Sequence, residues 1–166
     1  MILMANAMMG AAGYQASGGS FRYLKVDILS LYEDPNGYMR LAEIELRDDE
    51  GTQILAQSIS SPQTVLSGYD VGNAINGSYS DRYDRWIVSE GQLPIQATID
   101  YGASVAGHSV VFRQVTDPGN MWADGPPHNI IISVSDDAAN WDEVFSGYTD
   151  GANLKYPPYY SEVLIA

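Results

Sequence analysis

From Phe21 to Leu31 the chain reads FRYLKVDILSL, with Leu24, Val26 and Ile28 set against Phe21, Tyr23 and Lys25. A period of two puts successive side chains on opposite faces, so this stretch predicts a strand with at least one buried face. Asp34-Pro35-Asn36-Gly37 then reads as a turn. Beyond it RLAEIELR, Arg40 to Arg47, sets Ala42, Ile44 and Leu46 against Leu41, Glu43, Glu45 and Arg47. That pattern predicts a second strand, paired antiparallel with the first across the turn; the helical propensity of AEIEL is the competing reading. Asp48 to Gly51 turns the chain again, Ser58 to Tyr69 is polar and irregular, and Gly72 to Trp86 reads as loop.

Pro94 to Tyr101 and Ser109 to Val115 predict two more strands. After them Thr116 to His128, TDPGNMWADGPPH, reads as a long loop. Asn129 to Ser135, NIIISVS, is an almost continuous apolar run, the pattern of a strand buried on both faces. Asp136 to Asp142 turns, Glu143 to Ser146 starts another strand, and the tail from Tyr156 to Ala166 ends strand-like in VLIA. No internal repeat is visible. Many short strands divided by turns predict an all-β sandwich or barrel.

Composition narrows this picture. A chain of 166 residues that is 45% hydrophobic fits one domain, or one domain with an arm, around a sizeable core. Eight Lys and Arg against 21 Asp and Glu leave a net charge of −13. Such a surface repels nucleic acid and anionic lipid, which need clustered cations. The absence of cysteine removes disulfides, thiolate metal sites and cysteine nucleophiles. It does not fix the compartment, since a virion protein assembled in a reducing cytoplasm and a disulfide-free secreted protein both fit. Met1 to Gly10, MILMANAMMG, is apolar but shorter than the roughly 20 residues that span a bilayer. It also lacks the positive leading region of a signal peptide. Two readings stand: a plain tail, or an arm whose pliable methionines dock on a neighbouring subunit. Ala11 to Ser20, AAGYQASGGS, reads as linker.

Three fragments, in order, resemble one known family. Asn73-Ala74-Ile75-Asn76-Gly77 is similar to the NAIDGN loop of discoidin domains, also called coagulation-factor C-type domains. Trp86-Ile87, then Gln96 and Ile99-Asp100-Tyr101-Gly102, resembles their W…Q…IDLG stretch. Ile132 to Asp137 with Asn140-Trp141 resembles their I..S.DG..W strand and turn. The likeness covers Leu66 to Phe145, about half the chain. It departs at two positions: the loop Asp is Asn76, and the turn Gly is Ala138 or absent. The EIEV strand that closes most members corresponds to Glu43 to Leu46, near the start, so the chain resembles a permuted form similar to modules in phage virion proteins. The resemblance implies an antiparallel β-sandwich of the jelly-roll, galactose-binding-like kind over residues 21–166, with residues 1–20 as arm and linker.

Trp86 and Trp141 are expected in the core, Trp141 by folding back on strand 130–134, because buried aromatics dominate core energetics. A structural calcium ion is the first candidate ligand. Hard cations take six to eight oxygens. Asn73, Asn76, Ser80 and Asp81 offer oxygens in one loop, and Glu43 joins them if the permuted strand lies where the family's closing strand does. The competing reading is an ordinary polar loop without metal. A glycan surface is the second candidate. Trp122 flanked by Asn120 and Asp124 supplies an aromatic face beside hydrogen-bonding groups, and Tyr156, Tyr159 and Tyr160 form a second cluster. The competing reading packs these aromatics against a neighbouring subunit. Catalysis has no motif: His108 and His128 sit in no spaced metal pattern, and there is no nucleophile elbow or phosphate-cradling loop.

Two functions follow, both non-enzymatic. One is a structural, adaptor or attachment component of a virion-type assembly (tail, fibre, baseplate or capsid decoration), joined to other virion proteins and to its own copies through the arm. The other is a stand-alone carbohydrate-binding module for a cell-surface glycan, which places the chain outside the cell instead.

Overall fold

The computed structural model describes residues 19–33, 37–81, 83–115, 125–157 and 159–165. The strands in chain order are β1 (Phe21–Ile28), β2 (Tyr38–Leu41), β3 (Glu43–Arg47), β4 (Gln53–Ile54) and β5 (Ser58–Ser60). A 3-10 turn (Val71–Ile75) leads to β6 (Trp86–Ser89), β7 (Ile95–Val105), β8 (Ser109–Arg113), β9 (Asn129–Ser135) and β10 (Asp142–Tyr148). A single helical turn, α1 (Gly151–Lys155), precedes β11 (Tyr160–Leu164).

All strand pairings are antiparallel, and the strands form a five-stranded sheet, β10-β9-β1-β7-β5, a four-stranded sheet, β11-β8-β3-β4, and a β2-β6 ribbon. The alternation of β1 registers with that of its neighbours: Leu24, Val26 and Ile28 lie opposite Ile99, Ala97 and Ile95 on β7 and opposite Val134, Ile132 and Ile130 on β9. This inner face meets Ile44, Leu46, Val110, Phe112 and Val163 of the other sheet, while Met39, Leu41, Trp86 and Val88 of the ribbon complete one continuous core. The protein is an antiparallel β-sandwich.

Several expectations are corrected. RLAEIELR does not pair with β1, because β7 and β9 occupy both edges of that strand. It splits at Ala42 instead: β2 pairs with β6, and β3 pairs with β8 and β4. The Ala42 N–H donates to the Arg113 carbonyl at 2.9 Å, which fixes the changeover. Ser58 to Tyr69 is not wholly irregular, since β5 pairs with β7 and Val65 bridges to Val88. Within β9, Ile131 and Val134 are only partly buried, so the run is not covered evenly on both faces.

The indole expectation is half right. Trp86 is wholly buried. Trp141 lies outside the core, and the Lys25 ammonium sits 4.7 Å from the centre of its ring. The reason is the face: Lys25 alternates with inward Leu24 and Val26, so the surface that Trp141 covers is the outer, polar side of the five-stranded sheet. There Asp27 lies 3.9 Å from Lys25 and accepts a hydrogen bond from Gln96 at 2.7 Å.

Candidate functional site

β3 carries Glu43, Glu45 and Arg47 on the face of the four-stranded sheet turned away from the core. Water does not reach Glu43 even so: it is wholly buried, and Glu45 nearly so. The loop after the 3-10 turn reaches over this face, and the Gly77 N–H donates to both Glu43 oxygens, at 3.1 and 3.2 Å. Burial pushes the Glu43 carboxyl up to about 7, helped by the neighbouring Glu45 charge and opposed by the Gly77 bond and by Arg113. Glu45 is treated differently. Its carboxylate takes the Arg113 guanidinium from β8 and the Arg47 guanidinium at 2.8 Å. Arg113 also lies over the rings of Tyr79, at 5.1 Å, and Tyr160, at 5.3 Å. Beside this network the Ser109 hydroxyl donates to Glu162 of β11 at 2.6 Å.

A cleft of about 270 Å³ opens beside Glu43, lined by Gln53, Leu55, Asn76, Gly77 and Tyr101 among others. Burial raises the Tyr101 phenol well above its ordinary range, so it stays a neutral hydroxyl. The cleft therefore offers protonatable and neutral polar groups within an apolar rim.

Of the five residues expected to offer oxygens to calcium, Glu43 and Asn76 line this cleft together, and Ser80 is exposed. Asn73 and Asp81 serve the loop's own backbone. The Asn73 amide donates to the Arg85 carbonyl at 3.0 Å, and Asp81 accepts the Tyr83 N–H at 3.0 Å. Asn76 itself accepts the Ser78 N–H at 2.7 Å. One side-chain oxygen each of Asn76 and Asp81 thus holds the loop's shape, and no three Asp, Glu or His side chains converge as ligands among the described residues.

Trp122, Asn120 and Asp124 of the expected glycan surface lie outside the described residues, as does the arm up to Gly18. The C-terminal tyrosines are described. Tyr156 and Tyr160 are exposed, whereas Tyr159 is half-buried with a φ of 62°, its carbonyl accepting the Gln114 N–H at 2.9 Å. Sequence reading did not single out Glu45, Arg113 or Tyr101 for the site. In β3 two acidic residues alternate with apolar ones, but what buries them comes from the loop at Gly77 and from Arg113 of β8, which the local pattern does not record. No family model, curated protein or solved structure matches this chain.

Proposed function

We propose that this domain is a non-catalytic building or attachment piece of a virion-type assembly, joined to neighbouring copies and to other virion proteins through the apolar segment at its start. One observation carries the reading. From β10 to β11 the domain leaves Tyr148, Tyr156, Tyr160 and Leu164 in water, with Leu164 62% exposed, on a chain of net charge −13. Large apolar side chains left in water on a chain this acidic suit burial against a partner protein. The likeness to permuted phage modules points the same way. Sedimentation of the full chain and of a chain starting at Gly19 tests it: the full chain associates and the shortened one is monomeric. A full chain that sediments as a monomer at high concentration sinks the reading.

The second reading, a carbohydrate-binding module, draws on the same exposed rings and on the Tyr69–Tyr83 pair, stacked with centroids 6.3 Å apart and Tyr83 53% exposed. A glycan array probed with wild type and with Trp122→Ala separates the two. Binding that the substitution abolishes supports the module; an empty array removes it.

A further inference from the structure

Of the four outer strands in the two larger sheets, three are protected by their own form. β4 and β5 are two and three residues long. β10 carries a register shift between Glu143 and Phe145, a bulge that spoils regular pairing. β11 has none of these protections: five regular residues, without Pro, Lys or a bulge. Its ladder shows which backbone groups remain free. The Gln114 N–H donates to the Tyr159 carbonyl and the Ile165 N–H to the His108 carbonyl. With Tyr160 opposite Arg113 and Leu164 opposite Ser109, the odd-numbered residues therefore face β8. Tyr160, Glu162 and Leu164 aim their N–H and C=O groups away from the sheet. No described residue outside the ladder meets those groups. The same three residues are exposed, while Ser161, Val163 and Ile165 are buried.

We propose that β11 is the acceptor edge of the assembly, and that it is extended by the uncharged segment Met1–Met9 of a second copy, added as a strand. This rests on the assembly reading and names its contact. Main-chain bonds along the edge supply the affinity, and Leu164 and Tyr160 supply apolar contacts for alternate side chains of the incoming strand. Charge selects the occupant. β11 pairing with β11 of another copy in full overlap sets Glu162 against Glu162 in chains already at −13, and like charges directly opposite are destabilising. MILMANAMM brings no charged side chain and nine residues to cover five.

The test uses the full chain with Leu164→Lys and, separately, Glu162→Pro. The first places a charge at an exposed edge position. The second removes an outward N–H that the ladder with β8 does not use. Sedimentation equilibrium, alongside melting curves, is the readout. Both variants are expected to weaken association at least about tenfold, Leu164→Lys with the melting temperature close to wild type and Glu162→Pro with one lowered by loss of the Ser109 bond, and removal of residues 1–18 is expected to weaken association as much. A chain without residues 1–18 still captures added full chain in native mass spectrometry, and loses that capture with Leu164→Lys. Association unchanged in both edge variants overturns the acceptor edge while leaving the assembly reading intact. Association that survives removal of residues 1–18 but fails in the edge variants overturns the segment as occupant. A monomeric full chain overturns both.

Discussion

Glu43 and Glu45 are two residues apart on one strand, yet the fold treats their charges oppositely. Glu45 is neutralised by two guanidiniums. Glu43 receives one backbone N–H, and burial raises it from 4.5 to about 7. A carboxyl that binds its proton more tightly when folded stabilises fully below its unfolded value and loses that contribution as pH rises to the folded value. The loss here, from pH 4.5 to about 7, amounts to about 3 kcal/mol. Glu43→Gln removes the titration, so the stability of wild type minus that of the variant falls by about this much across the window, measured by urea unfolding at both ends. The two indoles separate in the same experiment. Trp86→Ala costs about 3–5 kcal/mol, as for a large aromatic lost from a packed core. Trp141→Ala costs about 1 kcal/mol, the scale of a surface cation–π contact with its partial cover. Calcium belongs at this scale too: with Asn76 and Asp81 engaged by backbone N–H groups, melting curves in millimolar calcium and in EDTA are expected to coincide.

At the scale of elements, local signals gave strand existence well and strand partners poorly. β1 lies where alternation placed it, and β7, β8 and β9 lie within or across the stretches read as strands, because one face of each meets the core. RLAEIELR was misassigned a partner because pairing depends on which edges remain open, and residues 40–47 carry no record of β7 and β9 closing on β1. The contrast in Glu43 was illegible for the same reason, since its cover comes from Gly77, 34 residues away. α1 was missed as well. It starts at Gly151, which lies so close to Tyr32 that an added Cβ would overlap the ring, and Asp150 caps it by accepting the Asn153 N–H at 3.0 Å. Gly151→Ala is accordingly expected to cost about 1–3 kcal/mol through overpacking. The turn after β9 shows the opposite case. Ala138 has a φ of 58°, the left-handed conformation that glycine takes without strain. Asp137 holds the turn by accepting the Ala139 and Asn140 N–H groups, at 2.9 and 2.8 Å, and those bonds keep its carboxyl well below the usual carboxylate range. Ala138→Gly relieves the left-handed strain and stabilises by about 1 kcal/mol in thermal unfolding.

For the whole molecule, net charge and sheet order set behaviour that no single strand carries. A chain at −13 repels itself and its copies, so sodium chloride is expected to raise both the melting temperature and the extent of association, with most of the change below physiological ionic strength. The order of the five-stranded sheet has a further consequence. Among the described residues β1 is the first strand, and it lies between β7 and β9, which end at Val105 and Ser135. On the ribosome, therefore, β1 waits for the chain to extend through Val105 before even one flank is closed. Its Leu24, Val26 and Ile28 side chains stay open to any passing holdase throughout that interval. Synthesis stalled before residue 129 leaves one flank of β1 without its strand, which makes these three residues the natural mark of an unfinished chain.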